Sequence, residues 1–212
     1  WIRPSRKSCR ARWIEVLSFD AETADNGIYA LQGAAVAVNN DTGLVEAIVG
    51  GRSQETSTYT LNRAFQSFRQ PGSSIKPLIV YAPALEEGYA SFSSVKDINV
   101  DAAKEPKADV ASLPGNWITL RQAVEKSRNG AAWWLFNEVT PEEGLSYLTQ
   151  MQFDKIVPDD YNMAASLGGF TYGVTAEEMA GAFSALENGG VYREPDCIVR
   201  MENLAGEDIY TG

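Results

Sequence analysis

Two apolar runs in the first quarter of the chain set its pattern. Ala34-Ala35-Val36-Ala37-Val38 and Leu44-Val45-Glu46-Ala47-Ile48-Val49 flank Asn39-Asn40-Asp41-Thr42-Gly43, five residues of turn formers. That arrangement predicts a β-hairpin. The scarcity of polar alternation predicts a strand pair in the middle of a sheet, covered on both faces. A longer apolar run follows the Pro71-Gly72 turn and predicts a helix from Ser73 to a glycine cap at Gly88. Pro77 has no N–H to give the carbonyl of Ser73, so that carbonyl or its neighbours are expected to stay open. Capping signals then divide the chain. Thr119 with Gln122 opens a helix to about 126, which breaks at Ser127-Arg128-Asn129-Gly130 before an apolar helix over 131–139. Thr140-Pro141 with Glu143 starts another to about 151, and Thr175 with Glu178 one that ends at Asn188-Gly189-Gly190. Residues 198–202 and 208–210 read as short strands. Residues 11–19 read as a short amphipathic helix, 20–27 as a polar loop and 52–70 as polar and irregular. Residues 89–117 read as a long excursion with little regular structure, a length that is often functional. The order predicts an α+β domain, a sheet with helices packed against it.

Composition narrows the function. The 212 residues are 44% hydrophobic and 22% charged, enough for one domain with a sizeable core. A net charge of −10 argues against a nucleic-acid binder. No stretch of 18 apolar residues is present to span a membrane. The first twelve residues are basic but carry neither an apolar signal core nor an initiating Met, and the chain is expected to be a fragment of something longer. It contains no histidine at all. That removes the Ser-His-Asp triad, the Cys-His dyad and the usual zinc sites together. Cys9 and Cys197 form no metal or redox motif and are expected to be buried free thiols.

A serine nucleophile without histidine needs another base, and an amine serves if its surroundings disfavour its charge. Ser73 and Lys76 are separated by one helical turn, on one face of the expected helix. Ser-x-x-Lys alone means little, since a second copy stands at Ser93 and Lys96. The first copy follows Pro-Gly and opens an apolar helix, whereas nothing fixes the second pair in its irregular surroundings. Ser73 could instead be a helix N-cap. Ser127 and Asn129 project a hydroxyl and an amide from a tight turn between helices. The structural alternative there is a C-cap, with Asn129 in the left-handed region before Gly130.

Ser-x-x-Lys followed by Ser-x-Asn matches two of the three motifs of penicillin-binding proteins and class A β-lactamases. Longer stretches resemble the transpeptidase domain of bifunctional, class A penicillin-binding proteins. They are Gln32-Gly33-Ala34-Ala35-Val36-Ala37-Val38 with Asp41-Thr42-Gly43, and Arg69-Gln70-Pro71-Gly72-Ser73-Ser74-Ile75-Lys76-Pro77. The third is Leu167-Gly168-Gly169-Phe170-Thr171-Tyr172-Gly173-Val174-Thr175 with Asn188-Gly189-Gly190-Val191-Tyr192. The resemblance covers about 30–205. Arg128 stands where the β-lactamases carry Asp, which favours the penicillin-binding side. The third motif, Lys-Thr-Gly, does not occur. The chain closes on Tyr210-Thr211-Gly212 and is expected to stop before that motif.

The resemblance implies a β-lactamase/transpeptidase-like α+β fold, with a central antiparallel sheet flanked by helices and its last strands missing. Residues 33–212 would be the transpeptidase domain and 1–32 a lead-in. It implies a D,D-transpeptidase acting on the D-Ala-D-Ala end of peptidoglycan stem peptides and acylated by β-lactam antibiotics. Ser73 would be the nucleophile, Lys76 its base, Ser127 a proton relay, and Asn129 a hydrogen-bonding partner of substrate or of Lys76. The Ser73 N–H would form half of an oxyanion hole. No cofactor or metal is implied. The setting would be the outer face of the bacterial cytoplasmic membrane, with an N-terminal anchor not contained in this chain. Alternatives are a D,D-carboxypeptidase or β-lactamase, disfavoured by the lack of an obvious deacylating carboxylate beside Ser127, and a non-catalytic piece of a larger synthase.

Overall fold

The computed structural model describes residues 22–23, 28–52, 61–105 and 107–211. The expected helix over 11–19, the basic first twelve residues and Cys9 lie outside the described residues. The chain divides into two compact units, one contributed by residues up to Phe68 and from Thr175 onward, the other by Arg69–Val174. The class is α+β.

In the first unit, β1 (Ala35–Val38) pairs antiparallel with β2 (Val45–Val49), Ala35 opposite Val49. The side-chain oxygen of Asn39 accepts from the N–H of Asp41 and of Thr42, which fixes the turn between them. The expected covering on both faces is not met: β1 is half-buried, and among the described residues no third strand joins the pair. Helix α1 (Arg63–Gln66), capped by the Asn62 side chain, is a short element that the polar sequence hid. The capping-box helix at Thr175 is α7 (Ala176–Glu187), which packs on β1 and α1. Strands β5 (Arg200–Glu202) and β6 (Asp208–Thr211) form the last hairpin. Cys197 is exposed rather than buried, because its segment crosses the surface just ahead of that hairpin.

The second unit is built on the apolar run after Gly72, which folds as three helical forms in sequence. A 3-10 turn, Gly72–Ile75, passes into a π-helix, Pro77–Tyr81, and then into α2 (Ala82–Glu86). The prolines account for the changes. The 3-10 register lets the N–H of Lys76 bond the Ser73 carbonyl, so the carbonyl expected to be open is satisfied. Pro83 cannot serve the carbonyl of Ile79 four residues back, and there the ladder widens, Ala82 bonding Pro77. Ile75, Leu78, Ile79 and Val80 are all buried.

The excursion over 89–117 is not irregular. Strand β3 (Ser94–Ile98) pairs antiparallel with β4 (Gly115–Thr119), with α3 (Val100–Ala103) between them. Helices α4 (Leu120–Glu125), α5 (Asn129–Val139) and α6 (Pro141–Gln150) follow, close to their expected bounds. Helix α5 packs on β3, and α6 on the π-helix. The latter contact is intimate, since a Cβ at Gly144 would lie 2.4 Å from the Phe136 ring and 2.5 Å from the Ile79 carbonyl. Leu135, Phe136, Leu145 and Leu148 are fully buried here, each worth about 1.5–3 kcal/mol of burial. This core grips the helix that carries Ser73 and Lys76.

Candidate functional site

Lys76 is almost completely buried, 1% exposed, at the junction of the 3-10 turn and the π-helix. Its Nζ donates to the Ser127 carbonyl at 2.9 Å, to Asn129 Oδ1 at 2.7 Å and to Ser127 Oγ at 3.3 Å. Among the described residues it makes no ion pair, so no carboxylate offsets its charge. Burial pushes its pKa below 10.5. A neutral amine has two N–H groups and a lone pair. The two short contacts are to carbonyl oxygens, which can only accept, whereas the longer one is to a hydroxyl, which can also donate. The three acceptors can satisfy the charged amine, and because the hydroxyl can also donate, the same cage can hold the uncharged one, with its lone pair turned to that hydroxyl.

Ser73 sits in the 3-10 turn and is exposed. It is not an N-cap. Neighbouring Ser74 makes the local bond instead, its hydroxyl donating to the Pro71 carbonyl at 2.7 Å. Among the described residues the Ser73 hydroxyl has no hydrogen-bond partner, which leaves it free to react.

Ser127 is the left-handed residue of the inter-helix turn, with φ +47°. The expectation gave that role to Asn129, which instead begins α5. The turn is a Schellman closure of α4. The N–H of Ser127 bonds the Val124 carbonyl and that of Arg128 bonds the Ala123 carbonyl. Helix end and helix start share this tight turn, which aims the Ser127 carbonyl, the Ser127 hydroxyl and the Asn129 amide at one amine. Beside it lies an open polar cavity of about 380 Å³, lined by Asp97, Asn99, Lys126 and residues 127–130.

The turn ahead of Ser73 is tied down from a distance. Arg69 and Val174 exchange both backbone hydrogen bonds at 2.9 Å. The Gln70 amide accepts from the Phe170 N–H at 2.7 Å and donates to the Phe170 carbonyl. Gly168, at φ +84°, lies so near Gly72 that a Cβ would fall 2.3 Å from its nitrogen. Asp160, fully buried, holds the same strap by accepting from the N–H and hydroxyl of Thr171, both at 2.7 Å. The second Ser-x-x-Lys copy is structural. Ser93 Oγ accepts from the Ala90 N–H, and Lys96 on β3 donates to the carbonyls of Ala111 and Leu113.

Ser73, Lys76, Ser127 and Asn129 thus belong to one unit, and the last three meet directly. Sequence reasoning missed Asp97, whose side chain binds Arg128, and the partnership of Gln70 with Phe170 across 100 residues. Asp97 gave no signal, standing inside a stretch without periodicity. Gln70 lies in the family-like stretch 69–77, but nothing local tells what a glutamine clamps.

The family model of the penicillin binding protein transpeptidase domain matches residues 33–210. Penicillin-binding protein 4 of Bacillus subtilis is 36% identical over 187 residues, 85% of this chain and 29% of that protein. Penicillin-binding protein 1A of Pseudomonas aeruginosa is 37% identical over 191 residues, 86% of this chain and 22% of that protein. The crystal structure of penicillin-binding protein 1A from Haemophilus influenzae superposes with a TM-score of 0.69 at 31% identity, covering 89% of this chain and 29% of that one. The chain therefore spans under a third of the length of these relatives. With the family match running from β1 to β6, the chain belongs to the penicillin-binding protein transpeptidase family.

Proposed function

We propose that residues 33–212 form the catalytic domain, or a large part of it, of a peptidoglycan D,D-transpeptidase, with 1–32 as a lead-in. One observation carries the reading: a buried lysine caged by Ser127 and Asn129, one turn from an exposed serine, with no ion pair to the lysine and no hydrogen bond to the serine hydroxyl among the described residues. Lys76 takes the proton from Ser73 Oγ as that oxygen attacks the carbonyl of the penultimate D-Ala. A free lysine near pKa 10.4 would be neutral in only about one molecule in a few thousand at pH 7, so the burial that lowers Lys76 is a requirement of the chemistry. The proton then passes through Ser127 Oγ to the departing amine of the terminal D-Ala. An amine of a second stem peptide attacks the acyl-enzyme and returns the serine. Asn129 holds Lys76, and its amide would bond the substrate backbone.

A β-lactam carries a strained amide in the place of the scissile bond, and its acyl product keeps the leaving group attached. Penicillin and its relatives are accordingly the expected inhibitors. No helix among the described residues is long and apolar enough to cross a membrane. In this reading the protein works at the outer face of the bacterial cytoplasmic membrane.

Mass spectrometry of the full-length protein after penicillin treatment is the test. One adduct is expected, on Ser73, absent from Ser73→Ala. An adduct that persists in that variant, or that maps to Ser93, overturns the assignment. The lifetime of the adduct separates a transpeptidase, which keeps it for minutes or longer, from a β-lactamase, which sheds it quickly.

A further inference from the structure

We infer that Arg128 is a positioning residue, which holds the Ser127–Asn129 turn around Lys76 by pairing with Asp97 on β3. The inference rests on the function proposed above. The turn needs an external hold. Ser127 adopts a backbone conformation that L side chains rarely take, and Arg128, at the N-cap of α5, makes no side-chain cap to the helix it begins. The Schellman bonds to Ala123 and Val124 secure the turn only backward, to α4.

Forward, two contacts reach β3. The Cα of Gly130 rests on the strand, where a Cβ would lie 2.0 Å from the Ile98 carbonyl. The Arg128 guanidinium meets one carboxylate oxygen of Asp97 twice, Nε at 2.7 Å and Nη2 at 2.5 Å. The Asp97 side chain is 7% exposed and the Arg128 side chain 51%. A buried carboxylate with a charge-assisted partner is a fixed point, because losing that partner leaves it uncompensated. Asp97 is therefore the anchor and Arg128 the tether. The tether's backbone lies between the carbonyl of Ser127 and the amide of Asn129, the two strongest contacts of Lys76. Any slack at residue 128 is felt at both.

Among the described residues the Arg128 side chain bonds Asp97 and neither Ser73 nor Lys76. Although both partners line the cavity beside the turn, their loss should fall chiefly on the acylation step rather than on how tightly the antibiotic first binds. Stopped-flow acylation of the full-length protein by a chromogenic or fluorescent β-lactam separates the two constants. Arg128→Gln and Asp97→Asn are each expected to lower the acylation rate constant about ten-fold, with a smaller effect on the pre-covalent dissociation constant. The double variant should lose no more than either single one, as members of one unit do. Arg128→Lys, which keeps one charge-assisted bond, should recover part of the rate, and Lys104→Ala, at an exposed ion pair in the same unit, should do nothing. Assays run well below the melting temperature of every variant keep misfolding out of the comparison. Acylation of Arg128→Gln at the wild-type rate, or losses that multiply in the double variant, overturn the inference alone. A wild-type protein that takes no label overturns the proposed function and this inference with it.

Discussion

At the scale of single residues, the protein sets a lysine where its charge is a liability. Because burial lowers the folded-state pKa of Lys76, the unfolded chain binds more protons between that lowered value and 10.5. Stability from this group therefore rises with pH across that window, and the penalty is fully present below it. Lys76→Met should abolish acylation yet raise the melting temperature by roughly 2–4 °C, taking the gain as about 1 kcal/mol. The gain should shrink as the pH approaches 10.5. Melting curves of the two proteins over a pH series check it, and a variant less stable at every pH would refute it. The same lowered pKa predicts that acylation accelerates with pH until Lys76 is neutral. The residue types of this site were legible in the sequence. Its geometry was legible only in part, since the i and i+3 spacing set Ser73 and Lys76 one turn apart but did not show that one would be exposed and the other buried. Nothing in Ser-Arg-Asn told that the backbone carbonyl of Ser127 would hold the amine, because a carbonyl has no letter in the sequence.

Among the elements, those with strong local signals formed as the sequence reading had them. The capping boxes at Thr119 and Thr175 and the proline start at Pro141 specify helix ends by local bonding, and each helix begins there. Strands β3 and β4 escaped because their order is tertiary. Lys96 and Asp97 interrupt the apolar pattern, and the Asp97 side chain, only 7% exposed, is paired with Arg128, a partner 31 residues away. The strap over 167–174 was visible as a family-like stretch but not as a partner of Arg69 and Gln70. Its glycines make a sharp prediction. Gly168→Ala sets a Cβ against backbone atoms of Gly72, in a left-handed conformation that already strains any L residue. Backbone cannot give way as a side chain can. We expect a loss of about 3 kcal/mol or more, or a displaced Ser73 turn with acylation reduced at least ten-fold. Melting temperature and labelling rate together report which. A variant that matches wild type in both would show that the strap does not constrain the nucleophile.

At the scale of the 212-residue chain, the net charge is −10 and the isoelectric point is near 4.6. Such an excess destabilises a compact state through self-repulsion, and salt screens it. Raising sodium chloride from about 10 mM to about 1 M shortens the Debye length from about 30 to about 3 Å. At pH 7 the melting temperature should rise over that range, and near the isoelectric point the dependence should flatten. A flat response at pH 7 would mean that the charges are already locally balanced. The Ser127 carbonyl belongs to the main chain, so no point mutation deletes it. What a mutation can change is whether residue 127 tolerates a positive φ, which glycine, asparagine and aspartate do and branched residues do not. A glycine or asparagine there would remove the hydroxyl and leave the Ser127 carbonyl bond to Lys76 in place, so under the proposed function the relay could be lost without unseating the lysine.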